Sequence, residues 1–439
     1  MSVSGRAAAR AIWEAALAAG NVDPIVRRVL RRDGDVITAG PLAVDLKTVR
    51  RLLVLGAGKA SAAMAQAVED LLDHRISDGL VVVKDGYARA TRTVRIVEAS
   101  HPVPDERGQA AARELLHLAE SATRDDLVIF LISGGGSALL PAPAPPVTLA
   151  EKRELTKRLL AAGASIGELN AVRKHLSFLK GGQLARAAAP APVLTLALSD
   201  VIGNAMDVIA SGPTAPDPST YAQALEIIDR FKLRERALLR IVGRLEAGAR
   251  GAIPETPKPG DPLFARVTNL VIGDNSLVVD AAAARAAALG YEPIVLTRAL
   301  EGEARDVARG FVTRGRTLTG PACLIAAGET TVTVNGGGVG GRCQEFALAA
   351  ALELEGAPHV TVLAAGTDGT DGPTDAAGAL ADASTVARGH ERRLDVHSLL
   401  ESNDSYSFFR AIGDLVRTGP TGTNLLDLYL LVVDPLPAE

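Results

Sequence analysis

Several groups of residues in this chain have the types and spacing to handle anions. At 127–140, LVIFLISGGGSALL closes an unbroken apolar run with Ser133, Gly134, Gly135, Gly136 and Ser137. Such a run suits a strand covered on both faces, and glycines let backbone N–H groups approach an anion with no Cβ in the way. The bland alternative is a tight strand-to-helix turn that holds nothing. Earlier, Gly56-Ala57-Gly58-Lys59-Ala60-Ser61 follows a strand-like segment at 49–55, and Met64, Ala67, Val68, Leu71 and Leu72 then recur at helical spacing. A strand, glycine turn and helix place N–H groups and the positive end of a helix dipole where phosphate binds, and Lys59 adds a full charge. It is not a Walker A loop, since Leu53 stands at the first glycine position and Ala60 follows the lysine. Ser61 replaces the third glycine of a dinucleotide fingerprint.

Carboxylates follow two other apolar strands. Asp200 and Asn204 lie in SDVIGN after a predicted strand at 192–198, where a carboxylate suits metal or proton chemistry or caps a helix. Asp368, Asp371 and Asp375 alternate with glycine and threonine in GTDGTDGPTD after a strand at 360–365. The spacing resembles a calcium loop only loosely, because the glutamate required at its twelfth position is absent, and magnesium shared with phosphates is the better reading. Arg342 opens a predicted helix after the glycines at 336–341, where a cation opposes the dipole unless an anion or carboxylate compensates. On that basis its removal should cost little folding energy. Glu329 follows a strand at 323–327, and a second strand at 331–334 is expected to pair with it as a hairpin.

Other polar residues have two readings each. His101, in SHPVPD, is a substrate contact or a structural loop residue. Asn275 touches a ligand or caps a helix. Asn170, Arg173, Lys174, His175 and Lys180 form a basic face that is either solvated or turned to an anion.

The elements behind these motifs alternate between strand and helix, which indicates an α/β protein. At 439 residues the chain exceeds one ordinary core. Two domains are expected, with the Pro- and Gly-rich stretch at 247–263 as linker. Hydrophobic residues make up 47% but aromatics only 3%, so the core must be built from Ala, Leu and Val. A net charge of −4 gives no footprint for nucleic acid or an anionic membrane, and small-molecule chemistry is favoured. No apolar run is long enough to span a bilayer. Cys323 and Cys343 are the only cysteines, which fits a reducing cytoplasm and excludes a disulfide framework. The N-terminal segment reads as an amphipathic helix.

Taken together, GAGKAS at 56–61, HPVPDERG at 101–108, SGGGSALLPAP at 133–143 and ELNAVRKHLSFLKGGQLA at 168–185 resemble one family. SDVIG at 199–203, IASGPTAPDPST at 209–220, GGRCQE at 340–345, GTDGTDGPTDAAGA at 366–379 and TGPTGTN at 418–424 extend the match along nearly the whole chain. The sequence is similar to the class II glycerate kinases, the MOFRL-containing glycerate 2-kinases, some of which carry the older label hydroxypyruvate reductase. The resemblance implies a Rossmann-like N-terminal domain with a parallel sheet (1–250) and a smaller α/β MOFRL domain (260–439), with the active site in the cleft between them. It implies transfer of the γ-phosphoryl group of ATP to the 2-hydroxyl of D-glycerate, and Lys59 and Arg342 match the family's basic catalytic positions. Asn204, Cys343 and Ala327 depart from the residues common there.

Phosphoryl transfer depends on positioning and charge neutralisation. On this reading Lys59 and the backbone of Gly56, Gly58 and Ser133–Ser137 contact phosphates, and Asp200 and Asp368 hold Mg2+. Asp200 is alternatively the base, and Arg342 meets the γ-phosphate or the substrate carboxylate. His101, Asn204, Asn275 and Glu329 are further binding candidates. The partners are nucleotide and glycerate, with a homo-oligomer left open. The competing readings are an NAD(P)-dependent hydroxypyruvate reductase and a sugar-phosphate sensing module.

Overall fold

A computed structural model describes residues 4–435, which divide into two compact units. One runs from Val22 to Ile272, and the other joins the chain up to Asn21 with the chain from Gly273 onward. In this division the first helix belongs with the later half, and the second boundary falls between Ile272 and Gly273.

The first unit begins with helix Val22–Val29 and a small antiparallel meander of β1 (Arg31–Asp33), β2 (Val36–Ala39) and β3 (Leu42–Asp45). These strands escaped the sequence reading because each is three or four residues long and largely exposed. The main sheet contains β4 (Leu52–Ala57), β5 (Ile76–Lys84), β6 (Arg95–Ala99), β7 (Leu127–Ile132), β8 (Val193–Leu198) and β9 (Val267–Gly273), in the order β6-β5-β4-β7-β8-β9. From β6 to β8 every ladder is parallel. This is the doubly wound order, and its direction reverses between β4 and β7. β4, β7 and β8 are buried at every position, as their unbroken apolar runs require. Leu53, Leu55 and Phe130 join Ala111, Ala112 and Leu115 of helix Glu106–Glu120 in one apolar cluster. Two hydroxyl-capped helices, Leu149–Ala161 and Ile166–His175, start at the capping boxes of Thr148 with Glu151 and Ser165 with Glu168.

The stretch expected to be a linker is instead packed onto this unit. Glu255 accepts from Tyr221 N–H at 2.9 Å, Thr256 donates to Asp217 at 2.9 Å, and the Pro257 carbonyl accepts from Asp217 N–H at 2.8 Å. Prolines here keep the chain extended, and side-chain partners replace the missing secondary structure.

The second unit holds β10 (Glu292–Leu300), β11 (Ala322–Gly328), β12 (Val360–Gly366), β13 (Gly378–Asp382), β14 (Leu415–Val416) and β15 (Asp427–Val433). Their order is β10-β11-β15-β12-β13-β14. Only the β10–β11 ladder is parallel; the others are antiparallel. The hairpin expected at 331–334 does not form, because both edges of β11 are already taken by β10 and β15. Residue Thr331 makes only an isolated bridge to Glu303. The N-terminal helix Gly5–Ala19 is amphipathic as expected and buries Ala8, Ala9, Ile12, Trp13 and Ala16. Arg6 fastens it by bridging Asp382 and Asp414. Among the described residues no helix is long and apolar enough to cross a membrane.

Candidate active site

In the first unit the two glycine loops meet where the strand order reverses. β4 and β7 are parallel neighbours, with Ala57 beside Ile132, so the segments leaving them emerge together. Lys59 N–H donates to the Gly134 carbonyl at 2.9 Å, and Ala60 N–H donates to Ser133 Oγ at 2.9 Å. Gly58 has φ 140°, and a Cβ there would lie 2.1 Å from Ser133 Oγ, so only glycine permits this approach. Gly56 is held the same way, since its Cβ would lie 2.3 Å from the Leu131 carbonyl oxygen. The His101 ring lies over Gly135, at 3.0 Å from where its Cβ would be, with Lys59 Cγ at 3.6 Å. Lys59, His101 and the glycines 134–136 are thus one cluster.

The two hydroxyls flanking the glycines separate in role. Ser133 is fully buried, and its Oγ also lies 3.2 Å from Ser61 Oγ, so it stitches the loops together. Ser137 instead lines a cavity of about 600 Å3. Lys180 Nζ donates to the Ser137 carbonyl at 2.7 Å and to its Oγ at 3.0 Å. Ser211 Oγ lies 3.0 Å from Ser137 Oγ and donates to Asn170 Oδ1 at 2.9 Å. Asp200 stands at the carboxyl end of β8, half-buried, and Asn204 in the same loop has φ 58°. Asparagine tolerates that left-handed conformation better than most residues.

The sequence left the basic face at 170–180 undecided, and the fold buries most of it. Burial drives the Lys180 amine well below its ordinary pKa, and the charges of Lys152 and Arg173 push the same way. Lys152, which the sequence did not single out, is brought down to about 7 by burial and then by Arg173 and Arg244. Lys174 is different, because Asp207 and Asp217 each lie 3.3 Å from its Nζ.

In the second unit the polar residues gather at the start of β15. Asp427 pairs in register with Gly328 of β11 and Gly366 of β12, and the antiparallel run of β15 puts it at the carboxyl ends of both. Arg342 opens helix Arg342–Glu353 and grips Asp427 with two nitrogens, Nε to Oδ2 at 2.5 Å and Nη2 to Oδ1 at 3.0 Å. Its Nη1 bonds Glu329. Burial opposes the guanidinium charge, but Asp427 and Glu329 outweigh it and raise the pKa. A carboxylate therefore compensates the cation at this helix start. Asp427 had no signal in the sequence beyond a polar residue before an apolar strand.

The three aspartates of GTDGTDGPTD part company. Asp371 accepts from Cys343 N–H at 3.1 Å and Gln344 N–H at 2.8 Å, serving the helix start. Burial pushes its carboxyl up to about 7, with the charge of Asp427 adding to the rise. Asp375 is exposed and bonds Tyr406 and Arg417. Asp368 shares the Gly366 edge with Asp427, since a Cβ on Gly366 would lie 3.4 Å and 3.2 Å from their carboxylate oxygens. Asp368 is buried and accepts from Thr370 N–H at 2.9 Å. Among the described residues no three His, Cys, Asp or Glu side chains group as a metal site.

One other expectation is also revised. Asn275 does not cap its helix: Asp274 does, by accepting from Ser276 N–H, while Asn275 donates to the Arg298 carbonyl at 2.7 Å. The glycines at 336–341 allow close packing, with Asn335 and Gly336 N–H groups donating to Asn403 and a Gly338 Cβ falling 2.5 Å from Asp404 Cβ.

Both cysteines are free and buried. Burial raises the Cys323 thiol to about 12 and the Cys343 thiol well above its ordinary value. Thiol reagents should therefore label neither in the folded protein, while both react in denaturant. Cys343→Ser should keep its turnover, and loss of the chemical step in a folded variant would contradict this.

Residues 8–246 match a family described as a domain of unknown function, DUF4147, and residues 322–427 match the MOFRL family. A glycerate 2-kinase of Pyrococcus horikoshii is 38% identical over 97% of this chain and 96% of its own length. The chain belongs to the glycerate 2-kinase family. A crystal structure of glycerate kinase from Thermotoga maritima superposes with a TM-score of 0.81 at 38% identity, covering 97% of this chain and 98% of that one. A protein of Agrobacterium vitis named putative hydroxypyruvate reductase is 43% identical over 94% of this chain and 95% of its own length. Both labels thus occur among relatives of this member of the glycerate 2-kinase family.

Proposed function

We propose that this protein transfers the γ-phosphoryl group of ATP to the 2-hydroxyl of D-glycerate, giving 2-phosphoglycerate. The observation that carries the reading is the end-to-end relationship to glycerate 2-kinases, joined to two glycine loops meeting at the sheet's switch point. Anions collect at such points because backbone N–H groups and helix starts face them. Lys59 neutralises phosphate charge, and its own backbone N–H is anchored on Gly134. Arg342 meets the γ-phosphate or the glycerate carboxylate from a guanidinium already oriented by Asp427. Asp200 accepts the hydroxyl proton or serves the metal. Magnesium carried on phosphates needs only one or two protein carboxylates, so Asp200 or Asp368 would suffice on the protein side, and it would offset the phosphate charge.

The reductase reading is favoured by the label on two Agrobacterium relatives. Ser61, at the third glycine position, is buried with its Oγ donating to the Leu131 carbonyl. Asp85, just beyond β5 where a ribose-binding carboxylate would be sought, is held by Arg107 at 2.6 and 2.8 Å. The test is product identification by NMR after incubation with D-glycerate, ATP and magnesium, beside a parallel reaction with NADH and hydroxypyruvate. Formation of 2-phosphoglycerate with no NADH oxidation is expected; NADH oxidation without a phosphorylated product would overturn the proposal.

A further inference from the structure

The cavity beyond Ser137 contains charge that the first unit does not balance. Lys152, Arg173 and Lys180 all line it, and the two lysines are 8% and 3% exposed. Lys180 is satisfied by Ser137 and Lys152 by the Leu176 carbonyl at 3.0 Å, both of them uncharged acceptors. Arg173 has neither a hydrogen bond nor an ion pair among the described residues. Lys157 adds a further cation to the lining, whereas Arg153 is paired with Glu106 at 3.0 Å and Glu154, the one acid of the lining, with Arg158 at 2.5 Å. Two buried amines whose charged forms burial disfavours and one half-buried guanidinium without a partner surround one void, an arrangement that an anion would complete.

The walls add a second requirement. Pro102, Pro104, Pro141 and Leu149 make the cavity largely apolar, and Val103 and Leu160 at its rim are 59% and 57% exposed. Anionic contacts therefore lie deep and apolar ones towards the opening. A three-carbon acid would leave most of 600 Å3 empty and the apolar rim without a partner. A nucleotide meets both demands, because its phosphates match the cations and its planar base matches the wall.

We propose that this cavity seats the nucleotide, with phosphates against Lys152, Arg173 and Lys180 and the base along the Pro141, Leu149 and Leu160 wall. Ser137 connects the seat to the glycine loops, so the far phosphates point towards Lys59. The assignment rests on the kinase reading for the identity of the nucleotide, but the binding measurement does not.

ADP binding to the full chain by calorimetry, without glycerate, tests it with Arg173→Ala and the rim variant Leu160→Asp. Arg173→Ala should weaken ADP on the order of 10- to 100-fold, the usual loss for a charge-assisted contact. Its melting temperature should hold or rise, because an unpaired, half-buried charge has been removed. Leu160→Asp is exposed enough to fold normally and should raise KM for ATP while KM for glycerate stays unchanged. ADP affinity within about twofold of wild type in both variants, while glycerate is still phosphorylated, would overturn the seat and leave the kinase reading standing. A rise in KM for glycerate alone would overturn it too, by giving the cavity to the acid. Tight ADP binding that needs Arg173 in a protein that phosphorylates nothing would keep the seat and remove the kinase reading.

Discussion

Lys59→Ala should lower kcat by roughly 10²- to 10³-fold, or about 2.7–4 kcal/mol of barrier, the range found for other preorganised electrostatic stabilisers. The loss is expected in kcat because an ammonium over the phosphates acts most strongly where charge moves in the transition state. Folding should be almost unaffected. The Lys59 backbone N–H that ties the loop to Gly134 survives the substitution, as does the Ser133 contact to Ala60. Steady-state kinetics at saturating glycerate and Mg-ATP, with thermal melting alongside, checks both halves. Turnover within twofold of wild type would take Lys59 out of the mechanism.

Arg342→Ala should do two kinds of damage. Turnover should fall by a comparable factor if the guanidinium meets phosphate or carboxylate. Stability should also drop by about 2–3 kcal/mol, towards the low end for breaking a buried pair because Arg342 is partly exposed. That second loss contradicts what the helix-start position alone suggests, namely that removing the cation is nearly free. The reason is Asp427, whose side chain is 2% exposed and would be left without its two-point partner. Adding Asp427→Asn to Arg342→Ala should restore most of the lost stability without restoring turnover. Chemical denaturation of both single variants and the double variant measures the coupling. An Arg342→Ala protein as stable as wild type would show that Asp427 does not depend on it.

What the sequence determined by itself was local. Apolar runs without interruption read as covered strands, and β4, β7, β8 and β12 lie where those runs lie. The glycine turns at 56–58 and 133–137 were legible because positive φ and close backbone approach restrict residue type at single positions. The order of family motifs also carried the two-domain α/β architecture. Tertiary structure decided what depends on distant partners. Asp427 sits 85 residues from Arg342, so nothing near either residue disclosed their pairing. Asp371 looked equivalent to Asp368 until the helix at Arg342 claimed it. The basic residues at 173–180 could have been solvated, and packing alone gave Lys174 the counterions Asp207 and Asp217 while it buried Lys180 against the Ser137 loop with none. The first helix joined the later half because its apolar face and Arg6 found their partners there. Burial and charge pairing are properties of the folded surface, and a sequence lists charges without saying which of them water will reach.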